Sequence, residues 1–104
     1  MTEKIIIENK NYEVIVKLEG NFSETSTLMK IINKFYENKN IDKIIIDTEK
    51  LIFLSSSTLG VFVYFHTMMK KENRKIIFVK VNMNSLLDNI FKTTGLNEIM
   101  NIEH

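Results

Sequence analysis

The sequence contains no cysteine, no proline and no tryptophan, and only three of its 104 residues are glycine. Without cysteine there is neither a disulfide framework nor a thiolate metal site. No apolar run approaches the roughly 20 residues that span a bilayer. The first apolar run, Ile5–Ile7, is too short for a secretion signal. These absences predict a cytoplasmic protein with no membrane insertion.

The sequence also lacks an excess of charge of either sign. Its 14 lysines and arginines face 13 aspartates and glutamates, so the formal net charge is +1. Proteins that bind nucleic acid usually carry a strong basic excess or a basic stripe, so we expect no nucleic-acid partner. One basic cluster, at 70–75, falls where a predicted helix should end, and we expect a solvated loop there whose cations complement the helix dipole.

The remaining pattern predicts one small domain, spanning residues 1–104. β-Branched or alternating apolar runs predict strands, and these lie at 5–7, 12–18, 44–46, 51–54 and 76–79. Apolar residues at helical spacing predict helices, and these lie at about 24–37, at about 57–72 and between the caps at 82–85 and Gly95.

Ser23 is the expected N-cap of the first helix, and the first two strands are close enough to form a hairpin. The tail at 99–102 suits a short helix, a last strand or both. The order of elements predicts an α/β fold of the α+β variant. We expect a mixed sheet of four to five strands, with three to four helices mostly on one face.

Between an apolar strand and an apolar helix lies a short run of hydroxyl side chains, Ser55-Ser56-Ser57-Thr58. At a helix N-terminus this run would offer free backbone N–H groups and the positive end of the dipole, which favour negative charge. The following helix has little polar surface in its first two turns, which predicts an exposed apolar patch that meets a partner. We interpret the run as a phosphorylatable docking surface.

Three motifs follow one another along the chain. They read Leu18-Glu19-Gly20-Asn21-Phe22-Ser23, then Phe53-Leu54-Ser55-Ser56-Ser57-Thr58-Leu59-Gly60, then Gly95-Leu96 with the apolar tail Ile99-Met100. In this order they resemble STAS domains of the bacterial anti-sigma factor antagonist type. The corresponding family motifs are Leu-x-Gly-x-Leu-Asp, an apolar pair before Asp-Ser-Ser-Gly-Leu-Gly, and a Gly-Leu pair before an apolar tail.

The resemblance implies a binding protein and not an enzyme. Such an antagonist sequesters an anti-sigma factor, often itself a serine protein kinase, and releases it when phosphorylated; a phosphatase resets it. The phosphoacceptor position falls on Ser56, ahead of Ser55 and Ser57, and no cofactor or metal is implied. The expected partner-binding residues are Ser23, Glu24, Thr25, Ser55, Ser57, Thr58, Leu59, Val61 and Phe62.

Three departures from the family motifs fall on expected partner-binding residues. Ser55 and Ser23 replace two aspartates, so two acids that could take part in partner and kinase recognition are missing. Serine also caps helices, so the fold tolerates both changes. Thr58 replaces a glycine and adds a side chain where a partner's backbone could approach.

Other functions compete with this one. Within the family, the alternative is an accessory subunit of a transport or stress-signalling complex that binds its partner without phospho-switching. An enzyme would need His66 as a base for a serine, yet ten helical residues separate it from Ser56, about 15 Å. Asp47 and Glu49 lack the clustered histidines or cysteines of a metal site, and His104 is expected to be mobile.

Overall fold

The computed structural model describes residues 3–104, which form six strands and four helices around a mixed sheet. The elements are β1 (Lys4–Lys10), β2 (Glu13–Phe22), α1 (Ser26–Glu37), β3 (Lys43–Asp47), β4 (Leu51–Leu54), α2 (Ser56–Lys70), β5 (Lys75–Val79), α3 (Leu86–Thr94), α4 (Leu96–Ile99) and β6 (Asn101–Ile102). The sheet order is β1-β2-β3-β5-β6, and β4 pairs with the end of β2. The tail is both a short helix and a strand.

The predicted fold class is confirmed. β1 and β2 form the antiparallel hairpin, whereas the other strand pairs are parallel. Along β2 every second residue is buried, so one face of the sheet carries the core. Three phenylalanines join the layers edge to face, because Phe78 of β5 lies 5.1 Å from Phe62 of α2 and 5.2 Å from Phe91 of α3, centroid to centroid.

A glycine bends β2 toward the serine run. Gly20 has φ 92°, which side chains rarely tolerate, and the pairing register shifts between Gly20 and Asn21. From Gly20 onward β2 pairs with β4, and β2 ends at Phe22. Because the strand continues this far, residues 23–25 make the turn and α1 begins only at Ser26. The prediction of Ser23 as N-cap is therefore wrong.

The C-terminal residues are held against β5 and α3. The Glu103 N–H donates to the Phe78 carbonyl at 2.7 Å, and His104 Nε2 lies 2.6 Å from the buried Asp88 carboxylate. Hydrogen bonds from His104, from the Asn84 backbone N–H and from Lys92 hold the pKa of Asp88 well below its usual range. The expectation of a mobile His104 is therefore wrong. None of the helices within residues 3–104 has the length and apolar character for a bilayer crossing.

The basic cluster contains one buried structural residue. Arg74 Nε donates to the Ile41 carbonyl at 2.7 Å, and its second terminal nitrogen donates to the carbonyls of Phe35 and Asn38. The first terminal nitrogen pairs with Glu72 at 2.8 Å. The lysines of the cluster are exposed, as expected of a solvated loop. The expectation of a solvated side chain is wrong for Arg74, because its guanidinium donates hydrogen bonds to carbonyls at and beyond the end of α1.

Replacing Arg74 with methionine should lower the free energy of unfolding by about 3 kcal/mol, because it leaves buried carbonyls without a donor. Urea denaturation followed by circular dichroism measures the loss. Lys75→Met is the matched control, since Lys75 is an exposed neighbour in the same cluster, and it should change stability by less than about 0.5 kcal/mol. Equal losses in the two variants would show that Arg74 does not anchor α1.

Candidate functional site

The hydroxyl run forms the N-terminal cap of α2. Ser55 is the N-cap residue, with extended backbone angles, and its Oγ accepts from the Thr58 N–H at 3.1 Å. Its Oγ also lies 2.8 Å from Thr58 Oγ1. The cap satisfies one of the backbone donors that a helix start leaves free. Because Ser55 belongs to the cap, α2 starts at Ser56, one residue earlier than predicted.

The cap is fastened to the sheet through one carbonyl group. The Phe22 oxygen at the end of β2 accepts from the Ser55 N–H at 2.9 Å and from Thr58 Oγ1 at 3.3 Å. Thr58 donates its only hydroxyl proton to the Phe22 oxygen. In the contact between the Ser55 and Thr58 hydroxyls, Ser55 is therefore the donor. Thr58 is fully buried. Its assignment to the partner-binding surface is therefore corrected: it fixes the helix start to the sheet.

The next two serines are free of this network. Ser56 and Ser57 occupy the first two positions of α2 and are exposed. The first turn of α2 contains no acidic residue, so nothing there offsets the positive end of the helix dipole. Backbone N–H groups at these positions have no partner within the helix. An anionic group on either serine would thus meet a favourable electrostatic environment.

The apolar residues of the first turns of α2 face inward. Leu59 is 6% exposed and Phe62 is 0% exposed, so assigning them to an exposed docking patch was wrong. Burial on several sides is possible because α2 packs against β5 and also against α1, where the rings of Phe65 and Tyr36 lie 5.5 Å apart. Val61 is partly exposed.

The exposed side of α2 carries small residues and one aromatic. Ser56, Gly60 and Tyr64 follow one another at four-residue spacing, which places them on one side of the helix, and all three are exposed. A Cβ atom on Gly60 would meet nothing within 4 Å. The glycine is therefore not required by packing inside the chain, and it leaves room for a backbone to approach from outside.

Two exposed apolar residues of β4 were missed by the sequence reasoning. Ile52 is 57% and Phe53 is 39% exposed, and they border a groove that Leu86 of α3 also lines. The groove encloses about 30 Å³, space for a water molecule or two. The sequence offered one signal for these residues, which is that their short strand leads directly into the serine run. In the structure this strand, β4, pairs with the end of β2.

The turn between β2 and α1 lies beside the serine run, because Phe22 bonds the run and the turn follows it directly. Ser23 and Glu24 are exposed, and Thr25 is partly exposed. The structure therefore brings the predicted loop residues next to the helix start.

His66 is not oriented toward the serines. Its Nε2 lies 3.1 Å from the carbonyl oxygen of Ile99, and since a carbonyl only accepts, Nε2 carries the proton. Nδ1 is buried and has no hydrogen-bond partner among the described residues. Burial lowers the pKa of His66 below its ordinary value of 6.5. The ring serves to hold α4 against α2.

The Asp47 carboxylate makes its contacts within the fold. Asp47 Oδ1 accepts from the Glu49 N–H at 3.0 Å, which closes a turn after β3. Its other oxygen lies 3.4 Å from Lys80 Nζ. Within residues 3–104 no group of three or more histidine, aspartate or glutamate side chains is placed to hold a metal ion.

Comparison with known proteins gives one family and several solved structures of similar fold. The family model described as STAS domain matches residues 4–104. The anti-sigma factor antagonist SpoIIAA in its unphosphorylated form aligns with TM-score 0.80 and 18% identity, over 95% of this chain and 87% of that chain. The Bacillus cell fate determinant SpoIIAA in the phosphorylated form aligns with TM-score 0.75 and 18% identity, over 95% and 90%.

An anti-sigma factor antagonist from Mycobacterium paratuberculosis aligns with TM-score 0.84 and 15% identity, over 98% of this chain and 86% of that chain. At these identities the likeness concerns the fold. The search of curated proteins finds no match.

Removing the Ser55 hydroxyl should lower the free energy of unfolding by about 1–2 kcal/mol, because Thr58 loses the two hydrogen bonds that it makes with Ser55 Oγ. Ser57→Ala is the matched control and should change stability by less than about 0.5 kcal/mol. Ser56→Asp should raise stability by about 0.5 kcal/mol through the helix dipole. Chemical denaturation measures all three variants. A Ser55→Ala loss no larger than that of the control would contradict the assignment of the cap.

Stability should fall as the pH drops below 6.5, the ordinary pKa of His66. The unfolded chain binds a proton in this range while the buried folded ring does not, so protonation favours unfolding. His66→Gln keeps a donor for Ile99 but does not titrate. Thermal unfolding between pH 5 and 7.5 should therefore show a weaker pH dependence in this variant, and an unchanged slope would sink the prediction.

Proposed function

The chain belongs to the STAS domain family, and from this premise we propose that it is an anti-sigma factor antagonist. In this role it binds an anti-sigma factor that is itself a serine protein kinase. Phosphorylation of Ser56 by that kinase ends the complex, and a phosphatase resets it. The observation that carries the proposal is the division of the hydroxyl run into a fixed cap, Ser55 and Thr58, and two exposed serines, Ser56 and Ser57.

This division supports modification without unfolding. The Ser55 hydroxyl both accepts and donates within the cap, so a phosphate there would break the cap. Ser56 projects from the first position of the helix, and its phosphate would lie at the positive end of the dipole. The domain therefore tolerates the charge, and the effect falls on the bound partner. Ser57 is also exposed, and the match of Ser56 to the family's phosphoacceptor position favours Ser56.

The proposed docking surface combines the exposed serines with exposed neighbours. It consists of Ser23, Glu24, Ile52, Phe53, Ser56, Ser57 and Gly60. Its apolar part comes from β4, and its flat part comes from Gly60, where no side chain keeps a partner at a distance. Apolar anchors surrounded by polar groups are typical of protein interfaces.

A phosphate on this surface adds a charge of roughly −1.5 to −2 and three strong acceptors. The partner would have to desolvate this charge or face it with a complementary one. A loss of about 3 kcal/mol in binding free energy corresponds to roughly a hundredfold loss in affinity. A change of local charge is therefore sufficient for the switch, without a large conformational change. SpoIIAA, which shares the fold, is known in unphosphorylated and phosphorylated forms.

Ser56→Ala should retain the partner, and Ser56→Glu should bind it roughly a hundredfold more weakly. Capture from source-cell lysate followed by mass spectrometry identifies the partner, and calorimetric titration with the purified partner gives the affinities. Incubation of the wild type with the partner and ATP should yield one phosphate, on Ser56. Ser57→Ala is the matched control and should be phosphorylated normally.

Phe53→Ser tests the docking surface independently of phosphate, and it should weaken binding at least about tenfold. Tyr12→Ser is its control, because Tyr12 is an exposed aromatic in the β1–β2 turn, outside the proposed docking surface. If Ser56→Glu binds as tightly as the wild type and no phosphate is found, the domain binds constitutively. A permease or stress-signalling protein among the captured partners would then support the accessory role.

A further inference from the structure

We propose that β1 pairs with β1 of a second copy of this chain, so that two sheets join into one across a two-fold axis. The pairing is antiparallel and uses the edge of β1 that faces away from β2. It involves the hairpin and does not depend on the proposed phospho-switch.

The free edge of β1 is the first observation. All seven residues of the strand pair with β2, from Lys4 opposite Glu19 to Lys10 opposite Glu13. Among the strands that residues 3–104 form, none pairs with the other edge. Alternate N–H and C=O groups of an edge strand point outward and can template a further strand.

The centre of this edge is apolar. Ile5, Ile6 and Ile7 follow one another, and Ile7 is 40% exposed. Lysines, which natural proteins often place on edges to prevent pairing, stand only at the two ends of β1. Charged side chains therefore oppose the pairing of a further strand only at the two ends of this edge and not at its centre.

The side chains select one register for self-pairing. When Ile6 lies opposite Ile6 of the partner subunit, Ile5 faces the partner's Ile7 and Lys4 faces the partner's Glu8. Two-fold symmetry repeats the Lys4–Glu8 and Ile5–Ile7 contacts, so the interface contains two ion pairs, two Ile5–Ile7 pairs and one Ile6–Ile6 pair. A shift of the two-fold axis to Ile7 would place Lys4 opposite the partner's Lys10, and these like charges repel.

Faces and charges agree with this register. Ile5 and Ile7 share one face of the sheet, and Lys4, Ile6 and Glu8 share the other. Lys17 contacts Oε1 of Glu8 at 3.3 Å, which leaves the second oxygen for a lysine from the partner. Each contact thus joins side chains on the same face, as direct cross-strand neighbours must be.

The experiment is a charge exchange measured by sedimentation equilibrium over a series of protein concentrations. The wild type should show a monomer–dimer equilibrium. Lys4→Glu and Glu8→Lys should each raise the dissociation constant at least about tenfold, because two like-charged pairs replace two ion pairs. The double variant restores opposite charges across the axis and should return to within about threefold of the wild type.

Lys10→Glu is the control, because in this register Lys10 lies outside the pairs formed by the central residues, and it should leave the dissociation constant unchanged. Amide exchange should slow in β1 as the protein concentration rises. Urea denaturation of each variant separates a loss of pairing from a loss of fold. A wild type that remains monomeric up to roughly 1 mM, a dimer whose β1 amides are not protected, or a double variant that stays monomeric would each overturn the proposal.

Discussion

The carbonyl group of Phe22 is the connection on which the candidate site depends. It ends β2 and accepts two hydrogen bonds, from the Ser55 backbone and from the buried Thr58 hydroxyl. Gly20 makes this possible, because its left-handed backbone turns the last residues of β2 toward β4. Sheet and helix start are therefore held as one unit, and a partner that contacts the serines contacts a rigid part of the molecule.

The same connection assigns different tasks to similar side chains. Of four consecutive hydroxyls, Ser55 and Thr58 are occupied by the fold, while Ser56 and Ser57 remain available. Ser55 stands where the family has an aspartate, and as an N-cap it performs the structural task that an aspartate can also perform. The replacement therefore changes the charge presented to a partner without changing how the helix begins.

Much of this fold could be predicted because each element has a strong local signal. The β-branched runs gave the strands, and Gly95 with φ 76° ends α3 as its position indicated. The predictions that were wrong concern residues whose surroundings depend on contacts between distant segments of the chain. The burial of Phe62 requires knowing that α2 lies against β5, and the burial of Arg74 requires knowing that it meets the end of α1. The exposure of Phe53 requires knowing which side of β4 is left uncovered. Ser23 failed as a cap because a bulge lengthened β2.

The last strand has a consequence for how the protein is made. β6 has only two residues, yet it pairs with β5, and the Phe78 carbonyl accepts from the residue that follows it. Residues 101–104 follow β5 in the chain only after α3 and α4, so during synthesis the apolar edge of β5 stays without its neighbour until they have been made and have docked. Uncovered edges of this kind are prone to pair with other chains. Once it has docked, the short strand covers this edge of β5 and keeps it from pairing with other chains.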